Sequence, residues 1–566
     1  MTANDPTSFS ADVGHQPTGD PSESVSVDST PVLVPQQPAP DDYYQNTFTE
    51  IVSFVLTHYG SVVQSSVLKT LKRFLLVEDQ DKRLLARLLT RKGPVFFEND
   101  LSYREVKDSK ETLLRLEAKG LICRRPRVPA DLLLAGLAKP KLLAYFANTF
   151  TGLSKAKGHR KEVLIHHLLG HRDDSSIRDT LWDQEPWCAI AQVEHWQLTQ
   201  MLYFGRSGQD WSAYVRRDLG QVRYEQVTLS QNRFATTDDL ETYMDERRLS
   251  QLVHRLDDYP QLLPDLAEAL VKPVADPMSQ RLRKRSLLRL GKWCERRGEW
   301  QAALKAYDSA GLPPSRERRV RILHKLRRRE ESEALREQMA AYPLSATESV
   351  FAQRFNRRGQ GFIPQITVWD LKEPQASVER YVLETLVLQG GWGVHSENSL
   401  IKTLTGLIYW EAVFSPQPGA FTNPFQVAPH DLHEPDFVSL RAREIADIES
   451  RICSDVGLAT HLHRISQAKQ GIANPLVSWG LLQSIGLEQW LQALPGDWIR
   501  ALSYFLIRNL KDYRKGFPDL FVSHPDGAAE FIEVKGPGDQ LQPQQRAWFE
   551  TFDRLDISAR VIRLRR

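Results

Sequence analysis

The spacing of apolar residues divides this chain into a long helical stretch and a short β-rich end. Residues 1–46 carry almost no large apolar side chains and are rich in Pro, Ser, Thr and Asp. Such a composition cannot offset chain entropy by burial, so a disordered tail is expected there. From Phe48 a helical period begins, with Ile51, Phe54, Val55 and Tyr59 on one face and Val67, Leu68, Leu71 and Phe74 continuing it. Leu84, Leu85, Leu88 and Leu89 form the next face, then Leu113, Leu114 and Leu116, with Gly120 as a C-cap before a short strand at Leu121-Ile122-Cys123. Leu142, Leu143 and Phe146 predict a helix, Gly152 and Gly158 a hinge, and Val163, Leu164 and Leu168 a second helix. Between 176 and 280 many aromatics, among them Trp182, Trp187, Trp196, Trp211 and Tyr214, read mainly as helix-packing residues. Gly291, Trp293, Gly298, Trp300, Ala303 and Tyr307 then mark a tight helical hairpin, and Arg316–Ala341 a second pair. Helices are expected again over Val378–Gln389, from Leu400 to Trp410, and, beyond a proline-rich crossing, over Trp490–Leu510.

Only after Gly516 does the period fall to two. Leu520–Ser523 and Ala529–Lys535 read as strands joined by the turn residues His524-Pro525-Asp526-Gly527. Pro543 opens a helix with Trp548, Phe549, Phe552 and Leu555 on one face, and Ala559–Leu564 is a closing strand. The expected fold is α+β and mostly helical. Its divisions fall at 1–46, 47–130, 131–175, 176–368 and 369–566.

Charge sharpens this picture. Formal net charge is +3 over 566 residues, but residues 1–46 hold seven Asp or Glu and no Lys or Arg, leaving about +10 for the remainder. Residues 281–329 hold 17 Lys or Arg against 4 Asp or Glu, a concentration that suits a polyanionic partner. No apolar run approaches 18 residues, and the amino-terminus lacks a signal-peptide pattern, so no membrane association is expected. Cys123, Cys188, Cys294 and Cys453 lie far apart, which gives neither a disulfide framework nor a zinc site and points to a reducing cytoplasmic compartment.

The chemistry concentrates in the C-terminal hairpin. Side chains alternate along a strand, so Glu533 and Lys535 share a face, and the hairpin can bring Asp519 to them. Two carboxylates with a neighbouring ammonium suit a hard divalent cation such as Mg²⁺, and the Val534 carbonyl can add a neutral oxygen. Lys535 can hold or deprotonate an attacking water, or offset charge on a phosphoryl transition state. Lys511, Arg514 and Lys515 stand directly before Pro518-Asp519, where cations can seat phosphates next to the carboxylates. Lys155, Lys157, Arg160 and Lys161 cluster at the hinge and the start of its second helix, a second candidate phosphate contact.

Gly-Phe-Pro-Asp-Leu at 516–520, followed by Glu-Val-Lys-Gly-Pro-Gly-Asp from 533, with Gln545 and Trp548 downstream, resembles the VRR-NUC module of the PD-(D/E)xK nuclease fold. Its version in the Fanconi-associated structure-specific nuclease family, of bacterial type, is the most similar. Upstream regions fit that resemblance: 47–130 looks winged-helix-like, 131–175 resembles a SAP helix–hinge–helix, and 176–368 looks TPR-like. In the family a Gly-Trp-x-x-His-x-Glu-like segment supplies a third metal-ligating carboxylate, which the resemblance assigns to Glu397, in preference to Glu411. It implies metal ligation by Glu397, Asp519, Glu533 and the Val534 carbonyl, one or two Mg²⁺ or Mn²⁺ ions, and water orientation by Lys535. Gln545 is expected to hydrogen-bond behind the hairpin. It further implies 5′-flap endonuclease and 5′-to-3′ exonuclease action on branched DNA in interstrand crosslink repair, close to the nucleoid. No ubiquitin-binding finger is readable. Two rival readings remain at this stage: a catalytically silent branched-DNA binder, and a helical-repeat scaffold for an acidic protein.

Overall fold

The computed structural model describes residues 43–91, 93–151, 153, 156–205, 222–229, 232–357, 362–371 and 377–565. The expectations for the tail before residue 43, and for Gly152, Lys155, Trp211 and Tyr214, fall outside those residues. The described residues form two compact units, divided between 205 and 222.

In the first unit, helices Tyr43–Tyr59, Ser65–Leu76, Asp79–Thr90 and Ser109–Ala118 pack largely through the apolar faces read from the sequence, except that Leu114, one position off the Leu113–Leu116 stripe, turns out to solvent. The first helix starts before Phe48 because Gln45 and Thr47 are also buried. Asp108 caps the helix Ser109–Ala118 by accepting the Glu111 N–H at 3.0 Å. A small antiparallel sheet runs in the order β1 (Phe96–Phe97), β3 (Trp187–Ile190), β2 (Ile122–Arg124). Its central strand is β3, from a stretch whose aromatics read as helix packing. The run Trp187-Cys188-Ala189-Ile190 is buried throughout, as a strand covered on both faces requires. Between β2 and β3, helices Lys139–Tyr145 and Lys161–His171 flank the hinge and bury Leu142, Leu164 and Leu168 in one cluster, whereas Val163, adjacent to Leu164 and so on another side of the helix, is exposed.

The second unit begins with helices that include Pro277–Arg297, Trp300–Ala310, Ser315–Lys325 and Arg329–Ala341. Close approach at the first hairpin depends on Gly291, where a Cβ would stand 2.7 Å from the Tyr307 ring. The basic concentration over 281–329 is largely paired rather than exposed as bare charge. Arg281 reaches Asp436, Arg283 Glu246, Arg297 Asp257 and Arg316 Glu348, all acids from outside that window. A count along the sequence misses them because tertiary contacts supply them.

The helices lead into a five-stranded sheet ordered β4 (Ile366–Asp370), β8 (Ala559–Arg565), β7 (Ala529–Lys535), β6 (Leu520–Ser523), β5 (Trp392–His395). Strands β4, β8 and β7 run parallel, and β7, β6 and β5 run antiparallel. Alternation along β7 sends Ile532 and Val534 to one face, where they pack with Val382 and Leu386 of the helix Val378–Leu388. Phe531 goes to the other, into a larger core with Leu404, Leu506, Trp548 and Phe552. The sheet is therefore covered by helices on both faces, and Glu533 and Lys535 lie on the face shared with Phe531.

Candidate active site

Glu533 sits on the central strand and is 1% exposed. A carboxylate at that depth needs compensation. One oxygen has it: Oε1 accepts from the Lys535 ammonium at 2.6 Å and from the Gln545 side-chain amide. The other, Oε2, is buried and accepts no hydrogen bond. Burial first, then the neighbouring Asp519 charge, pushes the Glu533 carboxyl up to about 8 against the opposing pull of Lys535.

Asp519 precedes β6 and reaches across to β7, where its Oδ2 accepts the Val534 N–H at 2.9 Å. This bond continues the β6–β7 ladder by one side chain and fixes the carboxylate beside Glu533. Burial raises the Asp519 carboxyl as well, with Glu379 and Glu397 adding to the rise and the Val534 and Lys535 donors opposing it. Gly516, at φ +85°, lets the approach to Asp519 run against the start of the helix Pro543–Arg554. A Cβ there would meet the Gln544 Cβ at 2.8 Å.

Glu397 follows β5, and its position is set by backbone contact with Asp519. The Ser396 and Glu397 N–H groups both donate to the Asp519 carbonyl, at 2.8 and 3.3 Å, and the Ser396 hydroxyl donates to the Pro518 carbonyl at 3.0 Å. Asn398, in the left-handed region at φ +51°, accepts the Phe517 N–H through its side-chain oxygen. Glu397 is exposed, and its charge acts on both Asp519 and Glu533. The local rival Glu411 is held in ion pairs by Arg451 and Arg464. Ser396, Asn398 and Glu379 carry no sequence signal of their own beyond position near the Gly-Trp-x-x-His-x-Glu segment.

Gln545 has two tasks. Its Nε2 donates to Glu533, while its Oε1 accepts the Gln542 N–H at 2.9 Å. The second bond satisfies an orphan donor at the helix start. It supports a helix start at which Gln542 stands rather than Ser, Thr, Asp or Asn. Asp539 accepts the Gly536 N–H at 3.2 Å and closes the intervening turn.

The donor set fits a hard divalent cation. The Asp519 charge presses the buried Glu533 toward the neutral form, and Glu533 presents a buried oxygen with no donor, which a cation would satisfy. Among the described residues, no three acidic, histidine or cysteine side chains already converge as an ion cage. The pair Asp519 and Glu533 is preformed on the sheet, and Glu397 stands at its rim.

The expected phosphate contacts divide. Lys511 and Lys515 are exposed just before Asp519, with Arg514 between them half-buried. In the first unit Lys157 and Arg160 are exposed, whereas the Lys161 ammonium donates to the Ala135 carbonyl at 2.5 Å. Among the described residues no helix is long and apolar enough to cross a membrane.

Residues 457–565 match the VRR-NUC domain, and residues 42–123 match the FAN1 HTH domain. The Fanconi-associated nuclease 1 homolog of Pseudomonas aeruginosa is 31% identical over 542 residues, 92% of this chain and 95% of that protein. The homolog from Oryza sativa is 23% identical, across 89% of this chain and 61% of its own length. Among solved structures, paFAN1 bound to 5′-flap DNA with a two-nucleotide flap and a gap superposes with a TM-score of 0.83 at 28% identity, covering 94% of this chain and 99% of that one. A buried glutamate beside a half-buried aspartate and a lysine on a VRR-NUC sheet, and relatedness along nearly the whole length, establish that this chain belongs to the Fanconi-associated nuclease family of divalent-metal-dependent, structure-specific DNA phosphodiester hydrolases.

Proposed function

We propose that this chain cuts branched DNA at 5′-flaps, trims it in the 5′-to-3′ direction during interstrand crosslink repair, and uses Mg²⁺ or Mn²⁺. The observation that carries the site assignment is Glu533: a carboxylate buried on the central strand, one oxygen held by Lys535 and Gln545, the other without a donor. Asp519, Glu533, Glu397 and the Val534 carbonyl would hold the ion. When bound, the ion offsets charge on the phosphoryl group and acidifies water near neutral pH.

The chain's own residues supply positioning. Asp519 is fixed by the Val534 N–H, so its free oxygen keeps one direction. Gln545 holds the Glu533 carboxylate from the helix side, and its amide is itself oriented by the Gln542 N–H. Lys535 lies against Glu533, where its ammonium can orient the attacking water and donate to a phosphoryl oxygen as charge builds. Lys511, Arg514 and Lys515 seat phosphates next to the cut, and Lys155, Lys157, Arg160 and Lys161 grip duplex DNA through a SAP-like hinge. The helical hairpins over 277–341 act as a TPR-like spacer.

The test is cleavage of end-labelled 5′-flap, 3′-flap, forked and plain duplex DNA with Mg²⁺, with Mn²⁺ and with chelator. Metal-dependent cuts near the 5′-flap junction, followed by a ladder of shorter products, are expected. Equal cutting of all four substrates, or none of any, refutes the reading.

A further inference from the structure

Four of the chain's 15 histidines, His159, His166, His167 and His171, fall in one short stretch around the helix Lys161–His171. Core packing does not ask for them, because that helix is anchored by Leu164 and Leu168. His167 and His171 stand one turn apart on the same side of the helix. Their ring centroids are 4.0 Å apart, with the planes inclined by 31°. Both rings are held in place. Phe150, itself buried, packs on the His167 ring with a centroid distance of 6.0 Å. His171 Nδ1 lies 2.7 Å from the His167 carbonyl. A carbonyl can only accept, so Nδ1 carries the proton and, in the neutral ring, Nε2 keeps the lone pair. Among the described residues that Nε2 and the ring nitrogens of His167 make no hydrogen bond.

A metal-ligating histidine is held in just this way: one ring N–H is tied to a carbonyl, which fixes the tautomer, and the other nitrogen is presented. Two histidines at i and i+4 on one helix face can take a single ion between them. With Zn–N near 2.0–2.1 Å, two nitrogens on one ion lie at most about 4 Å apart. The observed ring spacing allows that span after a small turn of either side chain. We propose that His167 and His171 form a binding site for a borderline divalent transition ion, of which Zn²⁺ is the type. No third histidine, cysteine or acid joins them among the described residues, so water completes the coordination. With two protein ligands the site stays open, binding is reversible, and the chain folds without the ion. Imidazole nitrogen suits Zn²⁺, whereas carboxylate oxygen suits Mg²⁺. The pair is therefore chemically distinct from Asp519 and Glu533, and it belongs to the first compact unit. A bound ion braces the last turn of the helix, at the end away from the exposed Lys157 and Arg160.

The experiment titrates Zn²⁺ into the full-length chain by calorimetry, with Mg²⁺ in excess so that oxygen sites are filled. Wild type is compared with His167→Ala, His171→Gln and His166→Ala. The first two should each weaken Zn²⁺ binding by more than about tenfold, since loss of a group that only supports a ligand already costs about 10–100-fold. His166→Ala, on another side of the helix, should bind as wild type does. Substoichiometric Cu²⁺ in place of Zn²⁺ should give an electron paramagnetic resonance spectrum showing two coordinating nitrogens in wild type and fewer in His167→Ala and His171→Gln. Hydrogen exchange of wild type should slow over residues 161–171 when Zn²⁺ is added. Equal Zn²⁺ affinity in wild type, His167→Ala and His171→Gln refutes the site. So does complete displacement of the ion by Mg²⁺, or a loss in His166→Ala as large as in the other two. Exchange over 161–171 that Zn²⁺ leaves unchanged refutes it on wild type alone, whatever the variants do to folding. Cleavage enters none of these measurements, so failure here leaves the nuclease reading standing.

Discussion

Glu533→Gln should stabilise the ion-free protein at alkaline pH while abolishing both cleavage and stabilisation by divalent cations. The Glu533 carboxyl rises from an ordinary 4.5 to about 8 through burial and the Asp519 charge. A folded-state pKa above the unfolded one means that the native protein holds more protons within that window. Stability is then greatest below pH 4.5 and falls as pH rises toward 8. At about 1.4 kcal/mol per pH unit of displacement, the ceiling is near 5 kcal/mol. Glu533 shares its proton equilibrium with Asp519 and Lys535, so an effect of about 2–3 kcal/mol is expected between pH 6 and 8.5. For a melting unit of about 200 residues this is a drop of about 5–10 °C in Tm. Glutamine mimics the protonated carboxyl, so the variant should lack this slope, and subtracting its profile from wild type cancels every other titrating group. Mg²⁺ should raise the wild-type Tm more at pH 8.5 than at pH 6, because the ion competes with a proton at pH 6, and should leave Glu533→Gln unmoved. Parallel pH profiles for wild type and variant in chelator would refute the assignment of a strained buried carboxylate.

Other perturbations test separate parts of the molecule. Lys535→Met should cut cleavage about 10²–10³-fold with 5′-flap binding retained in a gel-shift assay, since the ammonium is committed to Glu533. Gln545→Ala removes both the Glu533 contact and the bond to the Gln542 N–H, so chemical denaturation should show a loss of about 1 kcal/mol together with reduced kcat. Gly291→Ala should gain up to about 1 kcal/mol of helix propensity, but its Cβ would lie 2.7 Å from the Tyr307 ring. Overpacking of about 1–3 kcal/mol outweighs that gain. Net destabilisation in a melt, with metal-dependent cleavage at permissive temperature unchanged, is the expected result.

What the sequence discloses about this molecule follows the range over which each signal acts. The bounds of β6 and β7, Leu520–Ser523 and Ala529–Lys535, are those read from the two-residue period and the His524–Gly527 turn, because alternation and turn chemistry are local. Pro543 at the first helical position is equally local. Family resemblance at Gly516–Leu520 and Glu533–Asp539 carried the nuclease reading further than composition could. Signals failed where partners lie far apart in the chain. The run at 187–190 has no period that separates a central strand from a buried helix, and only pairing to both β1 and β2 decides it. The basic window at 281–329 looked unpaired because Glu246, Asp257, Glu348 and Asp436 lie outside it. Gln545 was readable as a neighbour of the hairpin, but its double bond to Glu533 and Gln542 was not.

The two charged clusters imply that metal and DNA bind with positive coupling. The Asp519 charge disfavours the charged form of Glu533 until a cation arrives, and the Arg514 and Lys515 charges likewise disfavour the charged form of Lys402. Glu397 belongs to both, raising the two carboxyls and attracting Lys402. A cation that engages Glu397 withdraws part of the one attraction that steadies Lys402, so the cations gain more from phosphate afterwards. Phosphate bound first relieves Lys402 and frees Glu397 for the cation. Linkage makes the two effects equal: whatever factor metal contributes to DNA affinity, DNA contributes to metal affinity. A coupling of about 1–3 kcal/mol, or roughly 5–150-fold, is typical of such linkage. Titration of 5′-flap DNA with and without Ca²⁺, and of Ca²⁺ with and without DNA, measures it from both sides. Glu397→Gln should reduce the factor more than it reduces either affinity alone, because it removes the shared group. Independent binding of the two ligands in wild type would mean that the clusters do not act on each other, and the assignment of Glu397 to both would fall.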